Sequence, residues 1–321
     1  MLVFLFSLYP GLKALDRHDL LPGPFRAPVR SFLDLLDGEL PAGGRPQIGD
    51  TLPQLPADTS GYLIIDCPDV GQALCVLIRQ GEHAMLFDCG EQEPGTIRGL
   101  LRREDLRSAD MLWLSHADAD HINAVPSALS VLTIPQVFIS PGMEEKETTA
   151  YDWLWESIRN NHMTVCAPAA GDSFALGDAK ITVLGPVTLD EEIPNNNCLV
   201  LRVEYGDTSV LLCADAQEGE EMSLLSSGAD LRCDVLQAGH HGSNTSSCTP
   251  FLREARPSYA LISCGEENDY GHPGEYALKR LREIGAGILR TDRDGDLRLI
   301  SDGKTFTAGY TGKDHPGQKA E

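Results

Sequence analysis

The chain has 321 residues, 42% of them hydrophobic, enough to bury the core of one large domain or two small ones. Its 48 acidic residues outnumber 26 basic ones for a formal net charge of -22. That balance opposes broad nonspecific binding to a phosphate backbone, while leaving room for a local, metal-centred phosphodiester site. Nine cysteines at irregular spacings include no C-x-x-C pair. Most lie inside apolar runs such as YLIIDC and VLLCAD. They read as buried, reduced thiols of a cytosolic protein, and zinc-finger pairs are excluded.

Residues 1–58 are rich in proline and glycine and read as an N-terminal extension, with a short helix over SFLDLL at 31–36. The apolar opening, MLVFLFSLYPGL, has no basic flank or small-residue cleavage site and is broken by Pro10 and Gly11. It is also shorter than the ~20 residues that span a bilayer, so a packing segment is expected and no membrane partner. From Tyr62 onward, strand-length apolar runs follow at 62–66, 73–79 and 84–88, then a helix across 95–105 and the strand MLWLS. Next come a helix over 122–132, the strand QVFIS at 136–140, and a helix across TAYDWLWESIRNN whose Trp153 and Trp155 are expected to pack. TVC at 164–166 and ITVL at 181–184 lead to LVLRVEY (199–205) and SVLLCAD (209–215). The last third holds a helix near 217–226, strands at 234–239 and 260–263, and a helix across 275–285. GILRTD and LRLIS then read as a hairpin turning at DRDGD, whose glycine falls at the wrong place for a calcium loop. The domain is expected to run from 59 to 310, with a disordered tail over 311–321.

The segment LSHADADHINA, at 114–124, stands apart. It places His116, Asp118, Asp120 and His121 within six positions, just after a strand and before a helical pattern. Strand ends of layered α/β folds are where site residues collect, and imidazole with carboxylate suits divalent transition metals. In a tight turn, residues two apart point the same way, so His116 and Asp118 can share one metal while Asp120 and His121 turn toward a second. The competing reading is a polar surface turn with Asp120 capping the next helix. Further polar marks close other strands: FDCG at 87–90, CAD at 213–215, GHHGS at 239–243 and YGHP at 270–273.

Taken in this order, DVGQALCVLIRQGEHAMLFDCG, LSHADADHINAV, NNNCLVLRVEYGDTSVLLCAD, DVLQAGHHGSNTSS and NDYGHPGEYALKRL resemble the metallo-β-lactamase superfamily, in its DNA-internalisation competence branch. The resemblance covers roughly 62–303. It implies a four-layer αβ/βα sandwich of two mixed β-sheets with helices on the outer faces, and two divalent metal ions, zinc or manganese. His116 and Asp118 would hold the first metal; Asp120, His121 and one histidine of GHHGS, with His241 favoured over His240, the second. Asp215 would bridge them, and Asp88 would orient the ligands from behind. Asp118 stands where the superfamily more often has histidine, which hardens the site toward manganese or magnesium. A histidine usual before the bridging aspartate is absent, with Asn196 or Asn197 in its neighbourhood. Ala73 and Leu74 alter the VGQGDA turn of the branch. The long membrane channel of many relatives has no counterpart here, which reads as a stand-alone soluble form.

The chemistry implied is hydrolysis by metal-activated water, with Asp120 orienting the water and His240 or His272 donating a proton to the leaving group. Phosphodiesters are the first substrate class, with nucleic acid as a possible polymer; the alternatives are a small-molecule hydrolase of lactams, thioesters or small phosphoesters, and a non-catalytic metal-bound module. Ser243 and Asn244 offer polar groups to a substrate, unless Ser243 caps a helix starting near Pro250. Basic residues in LIRQ, RGLLRRED and LKRLRE are interleaved with acids and read as solvated faces rather than a nucleic-acid track.

Overall fold

The structure, a computed structural model, describes residues 46–313. The segment through residue 45, with the helix expected at 31–36, and residues 314–321 lie outside the described residues. In chain order the elements are β1 (Ile48–Gly49), β2 (Leu63–Cys67), β3 (Val76–Gln80), β4 (His83–Phe87), α1 (Thr96–Arg103), β5 (Met111–Leu114), α2 (Ala119–Ile122), α3 (Val125–Leu129), β6 (Gln136–Ile139), α4 (Thr149–Asn160), β7 (Thr164–Cys166), β8 (Ser173–Leu176) and β9 (Ala179–Gly185). The second half adds β10 (Val200–Tyr205), β11 (Thr208–Leu212), α5 (Glu218–Ser227), β12 (Val235–Gln237), α6 (Thr249–Ala255), β13 (Tyr259–Ile262), α7 (Glu275–Glu283), β14 (Gly287–Arg290), α8 (Thr291–Asp294), β15 (Leu297–Ser301) and β16 (Phe306–Tyr310).

Two mixed sheets result, a nine-stranded one ordered β1-β16-β15-β2-β3-β4-β5-β6-β7 and a seven-stranded one ordered β14-β13-β12-β11-β10-β9-β8. Side chains alternate across each strand. Val76 and Ile78 of β3, Met85 and Phe87 of β4, and Val210 and Leu212 of β11 meet in one core between the sheets. The intervening Leu77, Leu86 and Leu112 pack under α1, α3 and α4, and Leu211, Cys213 and Leu236 under α5, α6 and α7. Strands dry on both faces read as unbroken apolar runs, which is why the sequence shows them without alternation. The layers are helix, sheet, sheet, helix, as the resemblance implied.

Four local expectations change. The helix expected over 122–132 is reduced to α3, and α2 ends at Ile122, because Pro126 in the first turn of α3 lacks the amide that would join the two. Trp153 is exposed; Trp155 is half-buried, its ring edge-on to Tyr151 at 6.0 Å. The hairpin around DRDGD is instead a crossover: β14 lies beside β13 in the smaller sheet, β15 pairs with β2 and β16 in the larger, and α8 turns the chain between them. Asp294 drives that turn, its Oδ2 accepting the Arg290 amide at 2.8 Å. Finally, β1 pairs in parallel with β16, so the folded unit begins before residue 59. All nine cysteines are free; Cys166 is half-buried and the others buried.

Candidate metal centre

Strands β4 to β7 run parallel in one sheet and β11 to β14 in the other. Asp88 follows β4, His116 follows β5, Asp215 follows β11 and the His240–His241 pair follows β12, so the polar marks gather at the carboxyl ends of parallel strands. Backbone bonds clamp the HADADH turn. The Leu74 amide donates to Asp120 O at 3.0 Å and the Cys89 amide to His121 O at 2.7 Å. Gly90 lies so close beneath that a Cβ there would stand 1.7 Å from Asp120 O. The buried Gln237 amide holds the other rim: its Oε1 accepts from Cys213 N at 2.9 Å and Ala214 N at 2.7 Å, just before Asp215. Asp88, Ala214, His240 and His241 all have left-handed backbone, with φ of 55, 47, 49 and 53°. Such strain in non-glycine residues collects where side-chain placement matters more than backbone comfort.

The hydrogen bonds decide which ring nitrogen each histidine presents. Asp88 is fully buried and accepts from Ser115 N at 2.8 Å, Ser115 Oγ at 2.7 Å and His121 Nδ1 at 2.7 Å. With the Ser115 hydroxyl hydrogen spent on Asp88, its oxygen accepts from His116 Nδ1 at 2.9 Å. His241 Nδ1 lies 2.8 Å from the Ser263 carbonyl, which can only accept. Each Nδ1 therefore carries hydrogen, so in the neutral imidazole each Nε2 is the nitrogen left with a lone pair, facing the space where the two sheets meet.

Those Nε2 atoms, of His116, His121 and His241, are buried without a hydrogen-bond partner, and so is Asp215 Oδ1. Asp215 Oδ1 is 3.2 Å from His121 Nε2 and 3.6 Å from His241 Nε2, and Asp120 Oδ2 is 3.3 Å from His241 Nε2. They are close, but none is aligned as a hydrogen bond. His116, His121 and Asp215 form one trio of potential ligands and Asp120, His121 and His241 a second, each with its ligand atoms within 4.8 Å of one another. Burial disfavours charge on His121, yet Asp215, Asp88 and Asp120 outweigh it and raise its pKa well above the ordinary value. Burial likewise opposes ionisation of Asp215, but His121 and His241 hold its pKa well below the usual carboxylate range. The pocket attracts positive charge, and its orphaned donor atoms fit a divalent cation.

Asp118 lies outside both trios. Its Oδ2 is 3.5 Å from His116 Nε2 and its Oδ1 3.3 Å from the Lys146 ammonium. His240 is half-exposed, its Nε2 3.6 Å from Asp215 Oδ2. The two histidines do not alternate along a strand; they share a left-handed 3-10 turn, which sends only His241 inward. His272 neighbours His240 and His241, with ring centroids 5.4 and 6.2 Å away. Gln72 Oε1 accepts from Gly265 N at 3.1 Å, which leaves its amide nitrogen to donate to His272 Nδ1 at 3.3 Å. Neutral His272 thus carries its hydrogen on Nε2, and burial, with His240 and His241 nearby, lowers its pKa to about 4.

The remaining predicted residues serve the frame. Asn244 Oδ1 accepts from Tyr276 N at 3.0 Å and Ala277 N at 3.2 Å, satisfying the start of α7. Ser243 is buried, its Oγ 3.0 Å from Thr245 Oγ1; the residue flanking α6 is Cys248, so Ser243 caps no helix. Asn196 and Asn197 bind Asp190 and the amides of Gln217 and Glu220, and the asparagine beside the centre is Asn195, whose Nδ2 is 3.5 Å from Asp215 Oδ2. Ser115 and Asn195 lie within the motifs but are residue types that carry no ligand signal of their own, while Ser263 and Lys146 have no local sequence signal. Nor are all the basic runs solvated: Arg79 is nearly buried between Asp66 and Glu104, at 2.6 and 2.8 Å, and Arg280 donates to the carbonyls of Asn244, Ser246 and Ser247.

A family model described as the metallo-beta-lactamase superfamily matches residues 68–266, which include all six predicted ligand positions and all but the last polar mark. The chain belongs to the metallo-beta-lactamase superfamily. Within it, the chain is related to competence proteins. It is 30% identical over 225 residues to ComE operon protein 3 of Bacillus subtilis, covering 68% of this chain and 27% of that protein. It is 32% identical over 240 residues to competence protein ComA of Neisseria gonorrhoeae, covering 72% and 31%. The matched region thus spans less than a third of those relatives. Among solved structures, the metallo-beta-lactamase fold protein YhfI from Bacillus subtilis aligns with a TM-score of 0.50 at 14% identity, over 74% of this chain and 100% of that one, a likeness of fold alone. Among the described residues, no helix is long and apolar enough to cross a membrane.

Proposed function

We propose that this chain is a metal-dependent hydrolase that cleaves phosphodiester bonds at a two-cation centre. The observation that carries the reading is the set of four buried, unpartnered ligand atoms, on His116, His121, His241 and Asp215, gathered from both sheets. His116, Asp118 and Asp215 would hold the first ion, and Asp120, His121, His241 and Asp215 the second. Bound zinc or manganese would supply Lewis acidity and a water acidified toward neutrality. The chain's own groups do the rest. Asp88 and Ser115 fix the imidazoles in the ligand tautomer. Asp120 is more exposed than Asp215 and stands at the rim, placed to orient water as well as bind. His272 offers an Nε2 hydrogen to a leaving or phosphoryl oxygen, and half-exposed His240 is the alternative donor. The kinship with competence proteins favours DNA as the polymer, and the free thiols suit a reducing compartment such as the cytoplasm.

The test is turnover by metal-loaded protein. Single- and double-stranded DNA, a chromogenic phosphodiester, a lactam and a thioester are each offered with Mn²⁺ or Zn²⁺, with Asp215→Asn as control. Metal-dependent phosphodiester cleavage that disappears in D215N is expected. Turnover of the lactam or thioester alone would replace the substrate class, and inertness toward the whole panel would leave a non-catalytic module.

A further inference from the structure

The HADADH turn presents Asp118 as the equal of its neighbours, but the packing does not. Asp118 belongs to neither trio of converging ligand atoms, and its side chain is 41% exposed. One carboxylate oxygen faces His116 Nε2 at 3.5 Å; the other faces the Lys146 ammonium at 3.3 Å. Lys146 lies on the loop joining β6 to α4, and Glu144 holds the same ammonium at 3.3 Å, so the charge is tethered from two sides. Among the described residues, Lys146 is the one lysine or arginine ion-paired with Asp118, Asp120 or Asp215.

A tethered ammonium acts on a neighbouring cation position in two ways. It repels the incoming ion, and by pairing with one oxygen of the carboxylate it draws negative charge away from the oxygen that faces the ion. Both effects fall on the His116–Asp118 side, where Asp215 is left as the carboxylate not paired with a lysine. The other side has Asp120, His121 and His241, and among the described residues no lysine or arginine is ion-paired with Asp120.

We propose that Lys146 makes the two cation positions unequal. The Asp120–His121–His241 position fills first and tightly. The His116–Asp118 position fills weakly, because Lys146 competes for Asp118. Lys146 is therefore a residue that sets affinity rather than a ligand, and its role rests on reading the pocket as a two-cation centre.

Calorimetric titration of the full chain with Mn²⁺, with elemental analysis of the products, separates the two ideas. Wild type should bind two ions in steps at least about tenfold apart. Lys146→Met should tighten the weaker step roughly tenfold and leave the tighter one alone. Lys279→Met, which removes an exposed partner of Glu283, should change neither. Asp118→Asn should weaken or abolish the second step with or without Lys146. Equal steps in wild type, or a weaker step indifferent to K146M, would overturn the role of Lys146 while leaving the centre standing. No binding step at all in wild type would remove the two-cation reading itself.

Discussion

Asp88 and His121 are locked together in the dry interior: both side chains are fully buried, and Asp88 Oδ2 accepts from His121 Nδ1 at 2.7 Å. The same carboxylate takes two bonds from Ser115, so every lone-pair direction used on it faces a donor. This one acid sets the tautomer of two imidazoles on the far side of which cations are proposed to bind.

Asp88→Asn follows directly. Either orientation of the amide sets its NH₂ group against a donor, Ser115 N on one side or Ser115 Oγ and His121 Nδ1 on the other. Mn²⁺ or Zn²⁺ affinity should fall about 10–100-fold, read by chelator competition, with a stability loss of about 1–3 kcal/mol. Unchanged affinity would show that His121 is oriented by something else.

Two glycines should respond in opposite directions. Gly90→Ala drives a Cβ into the Asp120 carbonyl and should cost several kcal/mol, on the order of 3 or more, together with metal binding. Gly99 is exposed inside α1 with open space around it, so Gly99→Ala should stabilise by about 0.5–1 kcal/mol. Chemical denaturation of both variants checks the pair.

Metal should act as a stabilising ligand. At about 100 times its dissociation constant, Mn²⁺ should add about 2.7 kcal/mol to unfolding free energy and raise Tm. Asp215→Asn, which alters the carboxylate proposed to bridge the two positions, should fold yet lose most of that shift. A thermal melt with and without chelator gives the answer, and a D215N protein still stabilised as strongly as wild type would contradict the bridging role.

A pH effect is expected away from the centre. Glu220 is buried; burial, against a 2.9 Å bond from Val187 N, pushes its pKa from 4.5 up to about 7. The folded chain then holds this proton more tightly than the unfolded one. Its contribution is fully present below about pH 4.5 and is lost as pH rises through about 7. Glu220→Gln should therefore be more stable than wild type at pH 8 by roughly 2 kcal/mol, and no different near pH 4. Urea unfolding at both pH values tests the sign.

Much of this molecule can be read without coordinates. Unbroken apolar runs such as MLWL and SVLLC can bury both faces only inside a covered sheet, and a turn as dense in ligands as HADADH has few other uses. Those are local properties, recorded in neighbouring residues. Which groups meet is not local. His241 rather than His240 turns inward because of a left-handed turn after β12 and a carbonyl at Ser263. Asn195 rather than Asn196 or Asn197 reaches Asp215, because its neighbours are taken up by Asp190. Asp118 is drawn toward Lys146 across the gap between β5 and the loop after β6. GILRTD and LRLIS part company because each finds its strand partners in a different sheet. A residue type limits what a side chain can bond; only the packing of distant strands supplies the atom it bonds to.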